Sequence, residues 1–313
     1  MTKVIYIAGC GRSGSTLLNA MLGSLDDTIG VGELVKLPQS GWTNGEYCAC
    51  GETVNRCNLW REVRHDWSAR TGSSVTELVS AQLAMERSWS WHRPVLGIGR
   101  RQIDAYSRLI GALYAAIAAA SGKSTIVDAS KNPLRAIALT RVESIDVRLV
   151  HLVRDLRGVA WSLAKRFDQD SKSGVHQDIA GRSPLKSLTH WSRINLFSEI
   201  AMSVVGRKGT RVRYEDLMSA PARTIDSIGE VCGIDVGAAI ESIEGGGSFT
   251  FGHMAAGNRI RMQSAISVRP DFEWQSGMSV PEQRRLWRFG WPFMRRYNYP
   301  QIQDSSGEAD TVY

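Results

Sequence analysis

The stretch Lys3-Val-Ile-Tyr-Ile-Ala-Gly-Cys-Gly-Arg-Ser-Gly-Ser-Thr-Leu-Leu18 decides how this chain folds. Val4, Ile5, Tyr6 and Ile7 form a short apolar run, the pattern of a buried strand. Gly9, Gly11 and Gly14 follow, and without Cβ atoms they let the backbone turn tightly and approach a ligand. Ser15 and Thr16 open a helix whose apolar residues recur at Leu17, Leu18, Met21 and Leu22. A helix N-terminus offers unpaired N–H groups and a partial positive charge, which suit a phosphate or sulfate. Arg12 adds a permanent charge to the same turn. The Gly9-x4-Gly14 spacing nearly makes a nucleoside-triphosphate loop, but Ser15 stands where that loop carries its Lys. The group that handles a γ-phosphate is missing, and the positive charge has moved to Arg12.

Working outward, further segments suited to parallel strands are Thr125–Asp128, Val147–Val153 and Arg211–Tyr214, beside Val4–Ala8. Helical patterns separate them: Gln102–Ala120, with Ile103, Tyr106, Ile110, Leu113, Tyr114 and Ile117 on one face, then Pro133–Thr140, Leu156–Phe167, Pro184–Val205 and Pro281–Tyr297. This alternation predicts an α/β fold, a central parallel sheet flanked by helices on both faces, with binding groups at the carboxyl ends of the strands. Residues 1–300 read as a single domain and 301–313 as a disordered polar tail. Residues 38–100 are less regular and carry Trp42, Trp60, Trp67, Trp89 and Trp91. These rings either form a lid or a ligand-facing wall, or bury a satellite core.

The 313 residues are 43% hydrophobic and 22% charged, ordinary globular values. A net charge of +7 favours an anionic ligand, but along the sequence it is spread out, and no Lys/Arg block suggests a nucleic-acid partner. No apolar stretch reads as a membrane span, and the N-terminus reads as a strand rather than a leader, so a soluble cytoplasmic protein is expected. Five cysteines make an odd number, with Cys10 and Cys232 isolated, which argues against a disulfide framework.

A second anion site is written at Val147-Arg-Leu-Val-His-Leu-Val-Arg-Asp-Leu-Arg-Gly-Val-Ala-Trp-Ser162. Arg154 stands at a strand end with a fork of donors, and Ser162 follows early in the next helix. Arg157 is a competing candidate. With these two sites the sequence resembles the sulfotransferases that use 3′-phosphoadenosine 5′-phosphosulfate (PAPS), in their bacterial form. Gly11-Arg-Ser-Gly-Ser-Thr16 is similar to their 5′-phosphosulfate loop, and Leu152–Ser162 to their 3′-phosphate segment. Ala129-Ser-Lys-Asn-Pro133, Val212-Arg-Tyr-Glu-Asp-Leu217 and the late loop Gly252-His-Met-Ala-Ala-Gly-Asn-Arg-Ile-Arg261 extend the likeness across most of the chain. The resemblance implies a P-loop nucleotide-kinase-like fold, PAPS as donor, adenosine 3′,5′-bisphosphate as product, and no metal. A P-loop kinase acting on a small alcohol, with Asp128 on magnesium, and a non-catalytic nucleotide-binding protein are the alternatives.

The same resemblance implies the site residues. Gly11, Arg12, Ser13, Gly14, Ser15 and Thr16 would hold the 5′-phosphosulfate. Arg154 and Ser162 would hold the 3′-phosphate, together with Arg259 or Arg261, while Asn258 would orient the closing loop. Tyr214 would lie near the adenine or the catalytic Lys, or serve only as a core aromatic. Glu33, seventeen residues after Thr16, is the general base, its pKa raised by partial desolvation; His253 is the rival base. His151, inside a strand, reads as a core histidine. Lys131 would follow the bridging oxygen as its charge grows. Cys48, Cys50 and Cys57 read as reduced structural thiols; a zinc site completed by His65, or a local disulfide, are alternatives. The partner is a small-molecule hydroxyl acceptor chosen by residues 38–100 and 165–183. The sequence leaves the acceptor's identity and the oligomeric state open.

Overall fold

The computed structural model describes residues 1–87, 90, 92–166 and 180–301. Trp89, Trp91, most of the 165–183 loop and the tail from 302 lie outside them. Five strands, β1 (Thr2–Ala8), β2 (Thr28–Gly32), β3 (Thr125–Lys131), β4 (Ile145–Val153) and β5 (Gly209–Arg213), form one parallel sheet in the order β2-β3-β1-β4-β5. Successive side chains of β1 enter different cores, as the twofold period of a strand requires. Val4, Tyr6 and Ala8 join Ile126, Val147 and Leu149 on one face; Ile5 and Ile7 join Val127, Ala129, Val150 and Leu152 on the other. Each is less than 9% exposed, which is why these strands read as continuous apolar runs.

The first face is covered by α2 (Asn58–Thr71), α3 (Val75–Met85), α4 (His92–Leu96), α5 (Arg100–Ser121) and α6 (Pro133–Leu139), the second by α1 (Ser15–Gly23), with α9 (Tyr214–Ser219), α10 (Pro221–Cys232) and α11 (Gly237–Glu244). A third apolar cluster joins α7 (Leu156–Ala164), α8 (Pro184–Val205) and α13 (Val280–Arg296) around Trp191, with α12 (Glu273–Gly277) beside α7. The sheet is therefore flanked by helices on both faces, as expected.

Three features add to the reading of the sequence. The glycine-rich Thr28-Ile-Gly-Val-Gly32, absent from the expected strands, forms edge strand β2. Its glycine is required: a Cβ on Gly30 would sit 2.7 Å from Asn19 Oδ1, where α1 crosses. The region 38–100 is largely helical, because α2 and α3 bury Leu59, Trp60, Val63, Trp67, Leu78 and Met85 against α5. Trp42, Trp60 and Trp67 are core residues and not a ligand-facing wall. Finally, α5 is long and apolar enough to cross a membrane by length and composition, which the reading of the sequence missed. In the fold its apolar stripe, Tyr106, Ile110, Leu113, Tyr114 and Ile117, is buried against the sheet and α2.

Candidate active site

Each strand delivers one group to the same cleft at its carboxyl end. The loop Gly9–Gly14 follows β1, Glu33 follows β2, Lys131 ends β3, Arg154 follows β4 and Tyr214 follows β5. The cleft holds about 920 Å³ and is lined by nine Lys and Arg (Arg12, Lys36, Lys131, Arg154, Lys165, Arg182, Arg193, Arg259, Arg269) against three acids, Glu33, Glu86 and Asp271. The charge that is spread along the sequence is concentrated here.

The loop after β1 is shaped by backbone contacts. Gly9, at φ 142°, leaves no room for a Cβ, which would lie 2.1 Å from Leu152 O. Gly14, at φ 87°, caps α1 without a side-chain hydrogen bond and packs on the Tyr214 ring, 2.7 Å from a Cβ placed there. Arg12 (φ 72°) and Lys131 (φ 65°) hold the left-handed conformation without being glycine. Such backbone costs about 1–3 kcal/mol per residue and gathers at functional sites. Ser13 Oγ is buried with no partner. Burial and the neighbouring Arg259 both lower the Arg12 pKa, Glu33 opposing them.

Arg154 bridges the two predicted anion sites. Its Nη1 donates to Arg12 O at 2.9 Å, Nη2 pairs with Asp271 Oδ2 at 3.2 Å, the guanidinium lies 4.3 Å from the Tyr214 ring centroid, and buried Nε has no partner. The Tyr214 hydroxyl accepts from Asp271 N at 2.9 Å. Ser162, on α7, and Asn258 and Arg259 also line the cleft. Arg261 does not: it is buried, and its guanidinium donates to Gly257 O and Tyr47 O, both at 3.1 Å. Arg157 is likewise committed to Asp155 at 2.6 Å and to Pro300 O and Gln301 O.

Glu33 is buried and paired with two lysines, Lys131 on Oε1 and Lys36 on Oε2 at 2.7 Å. Burial pushes its pKa up, but the lysine charges and hydrogen bonds outweigh it and hold the carboxyl at about 2. The expected upward shift is therefore reversed. Its backbone is fixed by Glu33 N donating to Ala256 O at 2.9 Å, and that of its neighbour Val35 by donation to Ser130 Oγ at 2.9 Å.

His253 stands apart from the lining residues of the cleft. Its Nδ1 lies 3.2 Å from Cys57 Sγ and 3.9 Å from Cys48 Sγ. His65, the fourth ligand in the alternative zinc reading, is exposed on α2 and not among the cysteines. His151 is a core residue: Nε2 lies 3.0 Å from Asn195 Oδ1 and burial lowers its pKa to about 4. Asp128 is fully buried, bonded to Tyr114 Oη at 2.5 Å and paired with Arg135 at 3.4 Å, so it faces the core rather than a metal. Sequence reasoning missed Lys36, three residues after Glu33, and Asp271, which has no local motif. It also missed the basic wall of Arg182, His190 and Arg193 contributed by α8 and the residues before it.

Residues 4–237 match the model of the sulfotransferase family. Among solved structures, the sulfotransferase domain from the curacin biosynthetic pathway superposes with a TM-score of 0.52 at 16% identity, covering 97% of this chain and 99% of that one. The sulfotransferase domain from the Synechococcus PCC 7002 olefin synthase gives a TM-score of 0.51 at 18% identity, over 93% and 94%. At such identities the likeness is one of fold. No curated protein matches the sequence.

Proposed function

The chain belongs to the sulfotransferase family, and from that premise we propose that it moves the sulfuryl group of PAPS to a hydroxyl of a small-molecule acceptor in the cytoplasm. One observation carries this reading: five strand ends direct their groups into one cleft with a threefold excess of cations. The cleft also suits the donor in chemical detail. Buried Ser13 Oγ and Arg154 Nε have no partner, and α1 presents an N-terminus capped by no side chain, an arrangement that favours phosphate or sulfate.

In this reading the Gly11–Thr16 backbone and Arg12 bind the 5′-phosphosulfate. Arg154, Ser162 and Arg259 bind the 3′-phosphate, with Tyr214 and Asn258 shaping the nucleotide seat. The donor supplies an activated sulfuryl group with a phosphate leaving group. The protein supplies position and charge. Glu33 takes the acceptor proton, and Lys131 answers the negative charge developing on the leaving oxygen. The two roles are coupled. While both lysines rest on it, Glu33 is a poor proton acceptor. When Lys131 turns from the carboxylate towards new negative charge in the cleft, one of the two depressing charges is withdrawn and the proton affinity of Glu33 rises. The basic wall of Arg182, His190 and Arg193, together with Phe197 and Ile194, favours an acceptor carrying both an acidic and an apolar part.

Calorimetric titration with adenosine 3′,5′-bisphosphate and with ATP–magnesium tests the donor. The bisphosphate should bind at least about tenfold more tightly, about 1.4 kcal/mol; tighter binding of ATP–magnesium would overturn the reading. Transfer of radiolabelled sulfate from PAPS to cell-extract acceptors then tests turnover.

A further inference from the structure

Three cysteines and a histidine 196 to 205 residues further along the chain meet in the fold. Cys48, Cys50 and Cys57 lie within ten residues, while His253 comes from the loop 196 residues after Cys57. Their three Sγ atoms and one imidazole nitrogen all lie within 4.8 Å of one another. With bonds of about 2.3 Å to sulfur and about 2.0 Å to nitrogen, the ligands of a tetrahedral zinc stand about 3.5–3.8 Å apart, close to the 3.2 and 3.9 Å found between Nδ1 of His253 and its two cysteines.

The backbone holds the four groups in place. Cys48 and Cys50 sit on a tight turn in which Cys48 N donates to Glu52 O at 2.8 Å and Gly51 N to Cys48 O at 3.0 Å, with Gly51 at φ 91°. Cys57 occupies the N-cap of α2 and its N donates to Thr53 O at 2.8 Å. His253 is pinned from the other side by Trp60 Nε1, which donates to its carbonyl at 2.8 Å, while Ala49 N donates to Met254 O at 3.0 Å. A disulfide would employ two of the thiols and leave the third thiol and the imidazole without a role.

We propose that Cys48, Cys50, Cys57 and His253 bind one zinc ion in a structural site. Three thiolates and an imidazole are a donor set that selects zinc, and four protein ligands leave no open position for chemistry. Binding deprotonates the three thiols and places a charge of about −1 on the site. None of the four ligands lines the cleft. The ion instead ties the 47–57 turn and the start of α2 to the loop that goes on to Asn258 and Arg259. That loop also accepts Glu33 N on Ala256 O at 2.9 Å and donates Ala255 N to Val31 O at 3.1 Å. The metal thereby sets the position of two walls of the active site without touching the reaction.

The test reads the metal itself, so its outcome does not depend on the nucleotide or acceptor. The full chain, purified under reducing conditions, should contain about one zinc by elemental mass spectrometry, and Cys57→Ser and His253→Ala should lower that content at least about tenfold. Cobalt(II) reconstituted into the wild-type chain should give the intense visible bands of a tetrahedral thiolate site, a readout that survives if the variants fail to fold. Zinc removal should speed amide hydrogen exchange across 47–57 and 249–262. A reduced wild-type chain that takes up no zinc, variants that retain it, or an octahedral cobalt spectrum would each overturn the proposal.

Discussion

Replacing Glu33 by Gln removes the carboxylate that two lysines hold at the end of β2. The side chain is 12% exposed and its pKa lies near 2 against an ordinary 4.5. At about 1.4 kcal/mol per unit, that displacement amounts to up to about 3 kcal/mol of folding stability at pH 7. The sign follows from the depressed folded-state pKa. The contribution is complete above pH 4.5 and is lost as pH falls towards 2, so variant and wild type should converge in acid. Urea unfolding at a series of pH values measures the gap. The same variant should lose about 10²–10⁴-fold in turnover, the range for a missing general base, while keeping or improving its affinity for adenosine 3′,5′-bisphosphate, since an anion beside the phosphosulfate loop has gone. Turnover within about tenfold of wild type would remove Glu33 from the base role. An unchanged urea midpoint at pH 7 would show that the lysines do not hold the carboxylate in solution.

Arg154→Ala should weaken bisphosphate binding by about 10–100-fold, the loss of one or two charge-assisted hydrogen bonds; calorimetry reads it, and unaltered affinity would count against the assigned role. Gly9→Ala should destabilise by about 3 kcal/mol or more, because the methyl group meets the Leu152 carbonyl within the sheet at an unfavourable φ; a loss under about 1 kcal/mol in urea unfolding would contradict the packing. His151 stays neutral in the fold, its pKa lowered from 6.5 to about 4 by burial. The unfolded chain therefore binds the extra proton, and stability should fall by about 3 kcal/mol as pH drops from 6.5 to 4. His151→Gln should flatten that slope, and an equal slope in both proteins would refute the assignment.

What could be read from the sequence followed from how local each signal is. The β1 loop and the β4 end are written in consecutive residues, strand, turn and helix start, so Gly9, Arg12, Gly14 and Arg154 could be picked out before any tertiary information. β2 could not, because two of its five residues are glycines, Gly30 kept small by Asn19 of α1 and Gly32 by the Ala256 carbonyl, and those requirements come from other parts of the fold. α2 escaped notice because its charged face dilutes the Leu59, Trp60, Val63 and Trp67 pattern. The choice between Arg259 and Arg261 depends on which guanidinium reaches the Tyr47 carbonyl, a contact 214 residues distant. The surroundings of His253 are hidden from the sequence for the same reason: its neighbours are cysteines brought close only by the folded loop.

Arg12 and Lys131 also bear on how such an enzyme responds to selection. Both hold a backbone shape that glycine adopts freely. If the two cations act as proposed, pressure for heat resistance alone would drive these positions towards glycine, relieving backbone strain at the expense of catalysis, whereas pressure for turnover would keep the strained cations. A thermostable lineage that retained activity would have to gain its robustness elsewhere, and these two codons should be among the last to change.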